Sequence, residues 1–165
     1  VMTLEEHRGD VRSKTIAWVG DGNNVLSSMM EASARFGYKM RVATPNSHQP
    51  VSRYLDWATA EGADISCSHN AETAVTNADC VITDTWASMG QEDVAAGHNT
   101  FASFQVNEEL MAKAKSDAIF MHCLPAHRGE EVTDEIMDGA QSVIFDEAEN
   151  RLHAQKGILS WCLAG

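Results

Sequence analysis

Positive charge is scarce in this chain. Twelve Lys and Arg face twenty-four Asp and Glu, a formal net charge of −12 at pH 7. Such a surface repels nucleic acid and anionic membrane alike, so small molecules are the expected partners. Cysteine is also sparse. Cys67, Cys80, Cys123 and Cys162 are far apart and form no C-x-x-C pair, which argues against a zinc ribbon or a secreted disulfide framework and suits a reducing cytoplasm. No apolar run approaches the roughly 20 residues that cross a bilayer, and Val1 to His7 is too acidic for a signal peptide. Repeats, low-complexity tracts and linkers are lacking too. The chain begins with Val rather than Met and enters structure almost at once, as a piece of a longer polypeptide does. What is there is 165 residues at 44% hydrophobic content, enough to bury a core in one domain.

Apolar, β-branched runs alternate with helical patterns. Thr15 to Val19, Met40 to Thr44, Asp64 to Ser66, Cys80 to Thr83, Ile119 to Met121 and Ser142 to Phe145 read as strands. Between them, Asn24 to Phe36 reads as a helix ended by Gly37, and Val51 to Glu61 as one ended by Gly62. Asn70 and Asn107 are good N-caps for two shorter helices. The alternation predicts an α/β fold, a doubly wound parallel sheet of about five strands with helices on both faces and strand order 3-2-1-4-5. Glu147 to Leu163 is helical in pattern but ends in an apolar stretch, Gly157 to Leu163. That end either tucks into its own core or docks against a domain that is not in this chain.

Three loops follow strands and converge on one crevice in that topology. Gly20-Asp21-Gly22-Asn23-Asn24 opens a helix, where backbone amides and the positive helix end attract a carboxylate or phosphate; alternatively, Asn23 and Asn24 cap the helix and make the turn. A dinucleotide-binding turn is disfavoured, because Val25 stands at the third glycine of G-x-G-x-x-G and Ala43-Thr44-Pro45 offers no acid for the ribose. Asp84 to Glu92 follows the fourth strand. Asp84 there can hold a substrate ammonium while Ser88 and backbone groups orient the rest of a small polar molecule, or Asp84 can bond the amides of its own turn. In the third loop, His122-Cys123-Leu124-Pro125-Ala126-His127-Arg128-Gly129, Cys123 is a nucleophile, a proton acceptor, a metal ligand or an inert buried residue. His122 fits a hydrogen-bonded core histidine equally well. Zinc held by His122, Cys123 and His127 lacks an evident fourth ligand, and adjacent residues rarely point the same way. Leu124-Pro125 is a candidate cis peptide.

At these residues the chain resembles the ornithine carbamoyltransferases, with a Rossmann-like ornithine-binding domain. Asp84 to Glu92 and His122 to Pro125 are similar to the family's D-x-x-x-S-M-G and H-C-L-P signatures. Gly20 to Asn24 resembles its ornithine-side turn, and Glu147-Ala148-Glu149-Asn150-Arg151 its late arginine motif. The resemblance covers essentially the whole chain. It implies transfer of the carbamoyl group of carbamoyl phosphate to the δ-amino group of L-ornithine, giving citrulline and phosphate, with no cofactor and no metal. It further implies that Asn24, Asp84, Ser88 and Met89 contact ornithine, that Asp84 and Cys123 meet its δ-amino end with Cys123 as proton acceptor, and that Cys123, Leu124 and Arg151 touch carbamoyl phosphate. Aspartate-using relatives carry proline where Cys123 stands and lack the Ser-Met-Gly loop, and putrescine-using relatives replace that loop, so ornithine is favoured over both.

The family's carbamoyl phosphate domain, with its Ser-Thr-Arg-Thr loop, is absent from these residues. Residues 1–165 are therefore expected to be a single ornithine-binding domain, inactive alone, whose parent is a cytoplasmic homotrimer or a multiple of one. The apolar Ile158 to Leu163 would face the missing domain. Two other readings stand beside this one: a nicotinamide-dependent oxidoreductase domain, on Gly20 and Gly22 alone, and a non-catalytic interaction module derived from a carbamoyltransferase.

Overall fold

The computed structural model describes residues 1–86 and 100–164. Five strands, β1 (Thr15–Val19), β2 (Lys39–Ala43), β3 (Ile65–Ser68), β4 (Cys80–Thr83) and β5 (Ile119–His122), form one parallel sheet in the order β3-β2-β1-β4-β5. This is the expected doubly wound order, and β1 and β4 pair where the winding reverses, with Trp18 opposite Ile82. Residues alternate between the two faces. Ile16, Trp18, Met40, Val42, Cys80, Ile82, Ile119 and Met121 enter one core with α1 (Met2–Arg8), α2 (Asn24–Phe36) and α3 (Ser52–Ala60). Ala17, Val19, Ala43, Val81 and Phe120 enter the other, with the short helices α4 (Ala71–Val75), α5 (Glu108–Met111) and α6 (Asp134–Met137). β1, β4 and β5 are buried on both faces and so read as nearly continuous apolar runs, whereas β2 carries Lys39 and Arg41 and the edge strand β3 is only partly buried.

Helix limits follow local chemistry. The Asn23 side chain accepts from the Val25 and Leu26 amides to start α2, and Gly37, at φ 76°, ends it in the left-handed conformation that a Cβ would strain. Asn70 and Asn107 cap α4 and α5 by accepting from the Thr73 and Leu110 amides. Along α2, Leu26, Met30 and Ser33 are buried, a spacing that lays one helical face on the sheet.

Two expectations about the last segment change. Ser142 to Phe145 is not a sixth strand: Ser142 makes an isolated bridge to Phe120, and α7 (Ile144–Leu163) begins two residues later. Val143 and Ile144 are buried as anchors of a helix whose first turn carries Asp146 and Glu147. A short apolar run cannot by itself distinguish those two roles, whereas acids favour a helix start. Nor does the far end of α7 tuck into this core. Ile158, Leu159, Trp161 and Leu163 are each at least 60% exposed.

Buried Asp79 ties the sheet to its flank, accepting from the Thr15 amide at 2.9 Å and from Lys115 Nζ at 2.7 Å. Burial alone would raise its pKa; these two donors outweigh it and hold the carboxyl below its ordinary 3.8. The native state therefore binds fewer protons than the unfolded one around that value, so Asp79 stabilises the fold above it, and the contribution disappears as pH falls through the depressed native value. Asp79→Asn should cost about 1–3 kcal/mol near neutrality and flatten the acid limb of stability measured by urea unfolding across pH.

Candidate active site at the strand ends

The carboxyl ends of β1, β4 and β5 bring three loops together, and Asp84 sits at their junction, 8% exposed. One oxygen, Oδ2, accepts from Asn23 Nδ2 at 2.7 Å. The other, Oδ1, accepts from the Thr85 amide at 2.9 Å and from the Cys123 thiol at 3.4 Å. Arg151, reaching back from α7, donates to the Cys123 carbonyl at 3.4 Å. One carboxylate, one thiol and one guanidinium from three separate stretches of sequence thus share a small volume. The anionic group meets the sulfur of residue 123 and the cationic group its carbonyl.

Electrostatics set the resting protonation state. Burial first, then the charge of Asp84 and the hydrogen bond to it, pushes the Cys123 thiol up to about 12. At neutral pH Cys123 is a neutral thiol that donates to Asp84, and Asp84 is the group that can accept.

The glycines of the first loop serve close packing. Gly20, at φ 130°, leaves room for the Thr83 hydroxyl and the Trp86 ring, and a Cβ on Gly22 would collide with the His48 and Gln49 backbone. Gly20 and Gly22 amides donate to Ala43 and His48 carbonyls at 3.0 Å each. Those two amides are therefore occupied within the protein, and the 48–49 backbone lies against the turn that a dinucleotide would need open. Trp86 stacks on Phe101, ring centroids 5.2 Å apart.

The sequence-predicted residues divide. Asp84, Cys123, Leu124 and Arg151 come together. Asn24 is exposed at the start of α2 and lines a groove of about 380 Å³ shared with Ser27, Arg53 and Tyr54; its neighbour Asn23 is the residue that reaches Asp84. Ser88 and Met89 lie outside the described residues. Leu124-Pro125 is cis, as expected. His122 is a hydrogen-bonded core histidine: Nδ1 accepts from the Leu124 amide at 3.0 Å, and Nε2 faces Glu131 Oε1 at 3.2 Å. His127 groups with Glu130 and Glu131 rather than with His122 and Cys123, so among the described residues the disfavoured zinc triad of His122, Cys123 and His127 is not assembled. Glu131 was invisible to sequence reasoning, since an acid in a polar loop ordinarily signals solvent.

The fold and site define a class: a parallel α/β domain that gathers a carboxylate, a thiol and an arginine at its topological switch point. The chain belongs to the aspartate/ornithine carbamoyltransferase family, whose Asp/Orn-binding domain it matches over residues 12–162. Among curated relatives, it is 64% identical over 163 residues to the ornithine carbamoyltransferase of Rhizobium johnstonii, covering 99% of this chain and 54% of that protein. It is 64% identical to that of Brucella abortus, covering 99% and 52%. Among solved structures, the ornithine carbamoyltransferase of Pyrococcus furiosus is similar with a TM-score of 0.91 at 46% identity, over 96% of this chain and 52% of that one. The Burkholderia thailandensis enzyme follows at 0.86 and 42%, over 98% and 51%. The chain spans about half the length of the relatives it matches.

Asp84→Asn removes the charge that, after burial, does most to hold the thiol neutral, while leaving an oxygen to accept from a neighbour. Alkylation of Cys123, followed by peptide mass spectrometry at about pH 9, should speed up several-fold in that variant; an unchanged rate would mean the thiol and carboxylate do not interact.

Proposed function

We propose that this chain is the ornithine-binding half of an ornithine carbamoyltransferase. The observation that carries this reading is the contact between Asp84 and Cys123 on a loop whose carbonyl Arg151 also touches. An amino acid with a cationic side chain suits a buried carboxylate at the strand ends, and the relatives' names supply the substrate.

The chemistry follows from charge. The ornithine δ-ammonium has no lone pair and must lose a proton before it attacks. Asp84, already accepting three hydrogen bonds, receives that cation, and its carboxylate is the nearest proton acceptor in the resting site. The ammonium also lowers the cost of ionising Cys123, so a thiol held neutral by burial and Asp84 becomes a second acceptor only once substrate is bound. The freed amine attacks the carbonyl carbon of carbamoyl phosphate. The C–O bond to phosphate then breaks, phosphate departs with the bonding pair, and the new C–N bond of citrulline remains after the nitrogen loses its second proton. Arg151 stands where negative charge grows on the carbonyl and leaving oxygens, and the Leu124 main chain beside it completes the acyl-donor side. Holding two small substrates in register is worth roughly 7–11 kcal/mol when orientation is good. No step in this scheme calls for a metal or cofactor.

Asn24, Ser88 and Met89 are assigned to the α-amino and α-carboxylate end of ornithine. The exposed apolar residues of α7, among them Leu152, Ile158, Leu159, Trp161 and Leu163, are assigned to the face that receives a carbamoyl phosphate domain. In the parent protein that assembly is a homotrimer or a multiple of one, acting in the cytoplasm. Among the described residues no helix is long and apolar enough to cross a membrane.

Two assays test the proposal. The chain alone, given carbamoyl phosphate and L-ornithine, should form little or no citrulline, and full turnover would contradict the half-site assignment. In the full-length protein, Asp84→Asn and Cys123→Ala should each lower kcat by about 10²-fold or more; near-normal rates would remove the proton-transfer roles.

A further inference from the structure

The carbamoyl-transfer scheme uses Cys123, Leu124 and Arg151 but leaves unexplained why residues 123–127 hold their shape. Leu124 sits at φ 56°, a left-handed conformation that a side-chain-bearing residue adopts only when its surroundings enforce it. The enforcing contacts run through two side chains with no solvent exposure, His122 and Glu131. His122 Nδ1 accepts from the Leu124 amide, so that nitrogen carries no proton. Nε2 then carries it and donates to Glu131 Oε1 at 3.2 Å. The same Oε1 accepts from the His127 amide at 2.6 Å.

Glu131 is itself firmly mounted. Its carbonyl accepts from the Val106 amide at 2.9 Å, and Gln105 Nε2 donates to the Gly129 and Glu130 carbonyls at 2.9 and 2.8 Å. Its second carboxyl oxygen, Oε2, is buried with no hydrogen-bond partner among the described residues. An interior carboxyl with one oxygen unsatisfied is a poor way to fill space or gain stability, because the lost hydration is not replaced.

We infer that Glu131 is a positioning residue for the Cys123 loop, one oxygen gripping the loop at both ends, through the His122 ring at its start and the His127 amide at its close. The grip sets two atoms of Cys123 at once: the sulfur that faces Asp84 and the carbonyl that faces Arg151. Glu131 touches neither substrate nor reacting atoms and acts through the backbone. Its bearing on catalysis rests on the carbamoyl-transfer reading; its hold on the loop does not.

The test uses the 165-residue chain without substrate. Iodoacetamide alkylation is followed cysteine by cysteine, buried Cys80 reporting whether the core stays closed and exposed Cys67 serving as reference. Glu131→Ala should free Cys123 from its desolvated place beside Asp84 and raise its alkylation rate about tenfold, the change in thiolate that one pKa unit gives. Cys80 should remain protected, and the slowly exchanging His122 Nε2 proton should vanish from ¹⁵N-resolved spectra. Glu131→Gln keeps a carbonyl that accepts the same two N–H groups, so it should hold Cys123 within about twofold of wild type and retain the Nε2 proton. An unchanged Cys123 in Glu131→Ala, or Cys123 and Cys80 becoming reactive together in both variants, overturns the inference. Should Glu131→Ala unfold, Glu131→Gln decides alone: wild-type reactivity with the Nε2 proton kept supports the grip, and loss of either contradicts it. A chain that passes, from a full-length protein that transfers no carbamoyl group, would overturn the functional reading only.

Discussion

The carboxylate of Asp84 is the constraint on which the site depends. Its two oxygens bind three loops that are remote in sequence, the α2 cap at Asn23, its own turn at Thr85 and the β5 loop at Cys123. The contact exists only because β1, β4 and β5 are neighbours in the sheet, where the doubly wound order reverses between β1 and β4. Packing thereby delivers the groups, and electrostatics decides their state. Burial, and then the carboxylate beside it, holds the thiol neutral.

This gives selectivity a physical basis. On the proposed reading Asp84 would receive an ammonium by accepting its hydrogens, while the Arg151 guanidinium, which meets the carbonyl of residue 123 rather than its sulfur, suits an anionic acyl donor. On that proposal the two substrates are sorted by the sign of their charge. The Gly20 to Asn24 turn contributes by fixing Asn23 rather than by offering free amides. Its glycines are small because Thr83, Trp86 and the 48–49 backbone lie against them, and for that reason a glycine pattern resembling a nucleotide turn does not behave as one.

Much of the fold was legible in the sequence because β1, β4 and β5 are short, mostly apolar runs and the caps at Asn70 and Asn107, with the stop at Gly37, follow local backbone chemistry. Ser142 to Phe145 misled, since four residues are too few for periodicity to separate a strand from the anchored first turn of α7. At the site, Asp84, Cys123, Leu124 and Arg151 were readable from motifs that carry reactive groups at strand ends. The division of labour between Asn23 and Asn24 was not, because which of two adjacent amides turns inward depends on where helix α2 starts. Glu131 was out of reach for a different reason: it is buried in a loop whose backbone bonds to the distant Val106, a tertiary event with no local signature.

The central claim is that these strand-end groups form a receptor for an amino acid bearing a side-chain ammonium. Calorimetric titration of the chain with L-ornithine, with and without carbamoyl phosphate, tests it most directly when wild type and Asp84→Asn are compared. Saturable heat in the wild type that disappears in the variant is the predicted result. Equal binding by both, or wild-type binding undiminished when ornithine is replaced by an analogue without the δ-amino group, would contradict the account.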